Sequence, residues 1–471
     1  MLFGDPLPFV NSYIEILNHT IKEHKPDFGL SVIQRAWLAF CIMGIFVTNS
    51  VCWAKFNRFS IGGYSSAALS WMFRKSKIFW DYLLHMSTEA ILRRYKISQA
   101  CMAVDDTHKK RSKKTAKIAW VHKLKDKASG GFIMGQSIIF LVLITPRFNI
   151  PVGFDFYLPD PDLSAWYKRN AKLKKQGVPK RERPPKPARN PNYPTKQDIA
   201  LKLLEEFKYH HPEIKIQCIL ADALYGTGRF LDRASAIYDG SQVISQLREN
   251  QNLRLKKSKV SVKEYFAKHP GVPQTIKIRG DKPVKATIGS ARLQVNAHGK
   301  KRFVIALKYE GEKDYRYLVA GNLSWRTMDI AQAYTLRWLV EVVLQDWKSN
   351  EGWNAMTKQP GPEGSSQSLI LSLLADHCLL LHPDQSARLE NNLPAYTVGS
   401  LRTQIKVESI LAVIHNLLNS DAPEAKLAAL SEMLKENILA PSKKHMSGRE
   451  LGRLEPTPSL KYRAATVMAY V

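Results

Sequence analysis

Between Asp5 and Lys96 apolar residues recur at intervals of three and four, the spacing of one buried helix face. A Ser60-Ile61-Gly62-Gly63-Tyr64 turn separates two of these segments. From about Gln99 the pattern changes to strands. Cys101-Met102-Ala103-Val104-Asp105-Asp106 is a short apolar run that ends in carboxylates. Gly131 to Thr145 reads as a long buried strand, and Asn149 to Tyr157 as another. Ile216 to Ala221 is a second apolar run, ended by Asp222, with a glycine-containing turn and a helix from Arg229 to Tyr238 behind it. Thr275 to Leu323 is rich in alternating apolar residues, as in a β-rich segment. Helical spacing then returns in Ser368–Leu381, Leu401–Leu418 and Pro423–Asn437, and Pro441 to Val471 is polar and basic. The pattern is that of an α/β chain with helices at both ends.

Charge adds a partner class. The chain carries 70 lysines and arginines against 41 acids, a formal net charge of +29. Such an imbalance implies a polyanionic partner and strong salt dependence. Much of it sits in Ala165 to Lys196, where Lys172, Lys174, Lys175, Lys180, Arg181 and Arg183 lie among many prolines with one acid, Glu182. That block cannot bury a core and reads as a flexible loop, either a solubilising linker or an arm that touches phosphates without reading sequence. His108 to Lys127 is a second basic tract. Cys41, Cys52, Cys101, Cys218 and Cys378 are few and widely spaced, which favours a reducing compartment over a disulfide framework. Met1 to Asn11 lacks the pattern of a secretory signal.

The densest chemistry lies in Tyr334 to Lys348. On one continuous helix, Tyr334, Arg337, Glu341 and Lys348 fall close to one face, at offsets of three, seven and fourteen, while Leu336, Leu339, Val340, Val343 and Leu344 anchor the rest. One acid among three phosphate-compatible donors suits a carboxylate that binds a metal beside a phosphodiester. An amphipathic surface helix with incidental charges is the plainer alternative. Taken with Asp105-Asp106 and Asp222, Glu341 completes two strand-end acids and one helix acid, the donor set that a two-metal site requires.

The spacing Tyr334, Arg337, Glu341, Lys348, together with Asp106-Thr107 and Asp222, resembles the Y-R-E-K signature of cut-and-paste bacterial insertion-sequence transposases with an Asp-Asp-Glu active site. The resemblance spans roughly Ala100 to Met356. It implies a ribonuclease-H-like catalytic core at 99–360 with a β-rich insertion at about 240–325 and the basic loop 165–196. A helical DNA-binding region, 1–98, would precede it. A helical C-terminal region, 361–471, would follow and could serve dimerisation. It implies Asp106, Asp222 and Glu341 as catalytic metal ligands for Mg²⁺, with Mn²⁺ able to substitute. In that family the catalytic Asp directly precedes Thr, which favours Asp106 over Asp105; strand alternation lets only one of the two face the metals. Arg337 and Lys348 would hold phosphates and Tyr334 would orient one. Tyr317 matches the aromatic that accepts a flipped base, and Lys174, Lys175 and Arg181 would bind DNA. Gln136 stands where the family often has His.

The implied function is a DNA transposase that cuts and joins insertion-sequence ends. It would act on double-stranded DNA, both transposon ends and target, as a homodimer on paired ends. A catalytically silent, transposase-derived DNA-binding regulator is the alternative. No nucleotide-binding fingerprint is present, so the reaction is expected to need no nucleotide cofactor. The expected location is the bacterial cytoplasm, at the nucleoid. Ala36 to Ala54 holds no charge between Arg35 and Lys55, about the length of a spanning helix. Thr48, Asn49 and Ser50 interrupt it, and a buried core helix is the expected reading, with no membrane partner. Ser65 to His85, carrying Arg74, Lys75 and Lys77, fits a helix-turn-helix reader of DNA or an ordinary helical hairpin equally well.

Overall fold

The computed structural model describes residues 5–438, apart from 61–62, 112–116, 127–129, 256–257, 279–281, 354 and 357–358. The basic tail 441–471 lies outside the described residues, as does part of the tract 108–127.

Five helices come first: α1 (Pro8–His24), α2 (Val32–Thr48), α3 (Trp53–Phe59), α4 (Ser66–Lys75) and α5 (Trp80–Arg94). A capping box between Ser31 and Gln34 starts α2, and Asn49 in the left-handed conformation ends it. Every residue of α2 from Trp37 to Val47 is buried, which explains its unbroken apolar run. Among the described residues no single helix is long and apolar enough to cross a membrane. Gly44 lets α2 meet α3 closely, since a Cβ there would lie 2.8 Å from the Phe56 ring. On α4, Leu69 and Phe73 turn inward and Trp71 outward.

Strands β1 (Gln99–Lys110), β2 (His122–Lys125), β3 (Phe132–Ile144) and β4 (Asn149–Tyr157) follow, then α6 (Pro161–Lys175), α7 (Lys196–His210), β5 (Lys215–Ala221), α8 (Gly228–Ile237) and β6 (Gln242–Leu247). Next come β7 (Asn252–Leu255), β8 (Ser258–Ser261), α9 (Val262–Lys268), β9 (Val272–Ile278), β10 (Lys282–Val295), β11 (Lys300–Tyr309) and β12 (Arg316–Ala320). The chain closes with α10 (Thr327–Thr335), α11 (Trp338–Asn350), α12 (Gly361–Leu379), α13 (Pro383–Glu390), α14 (Val398–Leu418) and α15 (Pro423–Ile438).

All the strands join one sheet, in the order β2-β3-β1-β5-β6-β12-β11-β10-β7-β8, with β4 on β3 and β9 on β10. β3 runs antiparallel to β1 and β4 antiparallel to β3, while β5 lies parallel to β1 and β6 parallel to β5. β6, which the sequence placed at the start of the insertion, is thus the strand next to β5. Strand alternation assigns the two faces. Ala103, Phe140, Cys218 and Leu220 join a core with α1, α2, α11 and α12. Val104, Ile139, Ile219 and Ala221 join a second core with α7 and α8. The helices before β1 therefore share one apolar cluster with α12 and one face of the sheet.

The expected loop at 165–196 needs correction. Its first part is helix: α6 begins on Pro161, capped by Asp160, whose Oδ1 accepts from the amides of Asp162 at 2.9 Å and Leu163 at 3.1 Å. Lys172, Lys174 and Lys175 fill its last turn, where cations favour the helix dipole. α6 buries no residue, so it carries no apolar period to betray it.

Candidate active site

Parallel pairing sets the site's geometry. Val104 stands opposite Ala221 at the ends of β1 and β5, so the next residues, Asp105 and Asp222, leave neighbouring strands side by side. Both continue the alternation of Ala103 and Leu220, on the face that α11 covers. Asp106 belongs to the opposite face, and its carboxylate accepts a hydrogen bond from Lys196, at the start of α7, at 2.5 Å. One carboxylate oxygen from each of Asp105, Asp106 and Asp222 nevertheless lies within 4.8 Å of the other two.

Glu341 enters from the first turn of α11. Arg337 ties it to the sheet: Nη2 donates to Glu341 at 2.7 Å and Nη1 to Asp105 at 3.1 Å. The expected continuous helix is broken here, another correction. α10 ends at Thr335, and Leu336 and Arg337 make a tightened turn whose amides bond back three residues, to Ala333 and Tyr334. The break aims Arg337 at the acids while Tyr334 stays behind it, almost fully buried, with the guanidinium 6.0 Å from its ring centroid. Tyr334 is thus placed to hold Arg337, and its hydroxyl is not presented to a ligand in the acid cleft.

The result is a cleft of about 690 Å³ lined by Asp105, Asp106, Asp222, Arg337, Glu341 and Lys348, among others. Gln246, Arg337 and Trp338 also line a neighbouring cavity of about 290 Å³, where Tyr334 lies. Burial, with Asp222 and Asp106 close by, pushes the Asp105 carboxyl up to about 6. Burial and then Asp106 raise Asp222 as well, although its Oδ1 accepts from the Leu224 amide at 2.8 Å as a turn cap. Crowded acids that resist ionisation gain from a bound cation, and an all-carboxylate donor set suits Mg²⁺ or Mn²⁺. Burial lowers the Lys348 ammonium against the pull of Asp105.

Other expected residues fall elsewhere. Tyr317 is a correction: it is 6% exposed, on the sheet face away from α11, stacked on Phe266 with ring centroids 6.0 Å apart. Its place in an alternating strand packs its ring in the core, so in this structure it offers no open face to a splayed base. Lys109, in the basic tract 108–127, is also buried; its ammonium donates to the Trp353 carbonyl, and burial pulls it down to about 7. Gln136 is fully buried and accepts from Arg111 at 2.9 Å. Lys174, Lys175 and Arg181 are exposed. Their block leaves the sheet at this end, because Tyr157 pairs with Ser137 and Ser137 with His108, two residues past Asp106. Lys196 and Gln246 had no separate signal in the sequence. Lys196 closed a basic run, and Gln246 sits on a strand whose place beside β5 only the fold reveals.

The family model described as DDE superfamily endonuclease matches residues 58–302, just over half of the chain. The match includes both aspartate strands and stops before α11. No curated protein matches the chain.

Proposed function

Since the chain belongs to the DDE superfamily endonucleases, we propose that it is a DNA transposase that cuts and joins the ends of an insertion sequence. The observation that carries this reading is the convergence of Asp105, Asp106, Asp222 and Glu341 on one cleft that also holds Arg337 and Lys348. The strand order β4-β3-β1-β5-β6, with antiparallel β3 and β4 beside parallel β1, β5 and β6, supports a ribonuclease-H-like core. In this reading β7 to β12 form the insertion.

The metal ligands of this proposal are Asp105, Asp222 and Glu341. Asp105 is preferred to Asp106 because it shares a face with Asp222 and a guanidinium with Glu341. Asp106 flanks the set and anchors Lys196. Bound Mg²⁺, or Mn²⁺ in its place, would supply an activated water and neutralise the leaving oxygen. Arg337 offers a planar fork to a phosphate, and Lys348 a point charge. Lys174, Lys175 and Arg181 would grip the duplex backbone beyond the cut. The freed 3′-hydroxyl would then attack the opposite strand or target DNA.

A homodimer on paired ends also belongs to this proposal. α14 supports it, with Val407, Ile410, Leu411, Ile414 and Leu418 all exposed.

The test is nicking of DNA that carries the element's ends, with Mg²⁺ and with chelator, by the wild type, Asp105→Asn and Asp106→Asn. The expected result is Mg²⁺-dependent nicking that Asp105→Asn abolishes and Asp106→Asn only weakens. Nicking lost in Asp106→Asn and kept in Asp105→Asn would reverse the assignment. Binding without nicking by the wild type would favour the silent regulator.

A further inference from the structure

A second cluster of metal-ligating side chains stands at the other end of β5. His211 follows the last turn of α7, Glu213 lies two residues on, and Glu89 comes from α5. One ligand atom from each lies within 4.8 Å of the other two. His211 is 1% exposed and Glu89 7%, whereas Glu213 is open to solvent.

We propose that Glu89, His211 and Glu213 form a structural site for a transition-metal ion of the Zn²⁺ class, which staples α5 to α7. Three observations support it. The donor chemistry is the first: one imidazole with two carboxylates suits zinc rather than Mg²⁺, which prefers oxygen alone. Spacing is the second. His211 Nδ1 lies 3.1 Å from Glu89 Oε2, and ligands about 2.0–2.1 Å from a tetrahedral zinc stand roughly 3.3 Å apart. Glu213, on the surface, can close the third side with a side-chain movement.

The third observation is what the buried atoms lack. His211 Nε2 and His85 Nδ1 are both buried without a hydrogen-bond partner among the described residues. Their rings are neighbours, with centroids 6.1 Å apart, and His210 stacks on His85 at 3.8 Å. As a simple hydrogen bond to Glu89, His211 leaves its second nitrogen unmatched in the interior, which is unfavourable. With a cation on Nδ1, His211 Nε2 carries the proton, and a ring movement that brings it to His85 Nδ1 would pair both unmatched atoms. Such a hydrogen bond would be the outer shell a ligating histidine ordinarily has. Arg93 already plays the matching part for Glu89, donating from Nε to Oε1 and leaving Oε2 for the metal.

The site is separate from the acid cleft. β5 begins at Lys215 and ends at Ala221, next to Asp222, and its seven residues span roughly 20 Å. The zinc would therefore take no part in cleavage. It would lock the last helix before β1 onto the last helix before β5, the two strands that carry Asp105 and Asp222.

The experiment uses the full chain, stripped with chelator, exposed to Zn²⁺ in excess Mg²⁺ and desalted, with bound zinc measured by mass spectrometry. Excess Mg²⁺ occupies the carboxylate cleft and does not compete for an imidazole site. The expected result is one zinc per wild-type chain, with a Tm raised by zinc. Glu213→Gln, on the surface, should weaken zinc binding by about 10–100-fold without lowering the Tm of the stripped protein. His211→Ala should hold none. A wild type with no zinc under these conditions would overturn the proposal and leave an ion-pair network. So would a folded Glu213→Gln that binds zinc as tightly as the wild type.

Discussion

The two ends of α11 carry acids in opposite circumstances. Glu341, in its first turn, keeps a side chain 39% exposed, and Arg337 bridges it to Asp105. Glu351, at its C-terminal end, is fully buried. Burial first, and then Asp376 beside it, drive its carboxyl well above the usual range; Arg402 is the cation that opposes this. The same residue type on the same helix thus has two fates. Where a cation and solvent reach the acid, its carboxylate stays open to a ligand. Where they do not, holding the proton costs less than holding the charge. Asp105 lies between these cases, buried yet faced by Arg337, and its value of about 6 reflects that. A crowd of carboxylates is therefore not by itself a metal site; access and counter-charge decide.

The strongest way to break this comparison is to neutralise each end in turn. Asp222→Asn and Glu341→Gln should cut Mg²⁺-dependent nicking by on the order of 10³-fold or more, the scale seen when a preorganised electrostatic group is lost. Binding to the same DNA should change little, because neither substitution removes a cation that faces a phosphate. Glu351→Gln and Asp376→Asn should nick at near the wild-type rate. Gel assays of nicking and binding on one substrate read both effects. Loss of nicking in Glu351→Gln with full activity in Glu341→Gln would invert the roles of the two ends.

How far the sequence revealed these differences depended on whether a residue's surroundings are local. The Asp105-Asp106 and Asp222 strands were legible because an apolar run that stops at a carboxylate is a local pattern, and β4 appears with the expected bounds, Asn149–Tyr157. The proposed choice of Asp105 over Asp106 was not, because it rests on which strand face meets α11, a tertiary fact. α2 was legible as a core helix from its uncharged run. α6 was not legible as a helix, since an element that buries nothing leaves no period. The break at Leu336–Arg337 was hidden too. Both residues keep helical dihedrals, and only the hydrogen-bond pattern changes. The burial of Tyr317 was not legible, because position in a motif says nothing about which face of a sheet a side chain takes. Glu351 gave no signal at all: its near neighbours Asp376 and Arg402 come from α12 and α14, packed against α11, and lie far from it in sequence.

A milder contrast concerns DNA affinity, which should depend on the open end alone. Lys172, Lys174, Lys175 and Arg181 are exposed, while Arg183 is half-buried and donates to the Val178 carbonyl at 2.8 Å. Replacing the first four with Gln, and sparing Arg183, should weaken binding to all duplexes alike. The slope of log K against log salt should flatten by roughly 0.9 for each phosphate that is no longer neutralised. Arg402→Gln, at the buried end, should leave that slope unchanged. Fluorescence anisotropy over a salt series measures both. An unchanged slope in the four-fold variant would make the block a linker, and a reduced slope in Arg402→Gln would show that DNA reaches the far end of α11.

The smallest effect is on stability against pH, and its sign separates the two ends most cleanly. Burial lifts the Asp376 carboxyl to about 7, with Asp346 adding to the rise, while the Glu351 value is raised alongside it. An acid whose pKa is higher folded than unfolded binds more protons in the folded state. The stability it contributes is full below its ordinary value, near 4, and is lost as pH rises towards 7. Buried histidines act in the opposite sense. His85 and His377, pulled by burial to about 3 and about 4, stay neutral in the fold, so they favour it increasingly as pH climbs to their ordinary value of 6.5. The absolute melting curve therefore mixes both signs, and the informative quantity is a difference between proteins. In chelator, the Tm of Asp376→Asn minus that of the wild type should grow between pH 5 and pH 8. The gain should be several degrees, on the order of 1–2 kcal/mol. A difference that stays flat for Asp376→Asn would mean that the buried pair is already charged at pH 5, and the contrast between the two ends of α11 would fail.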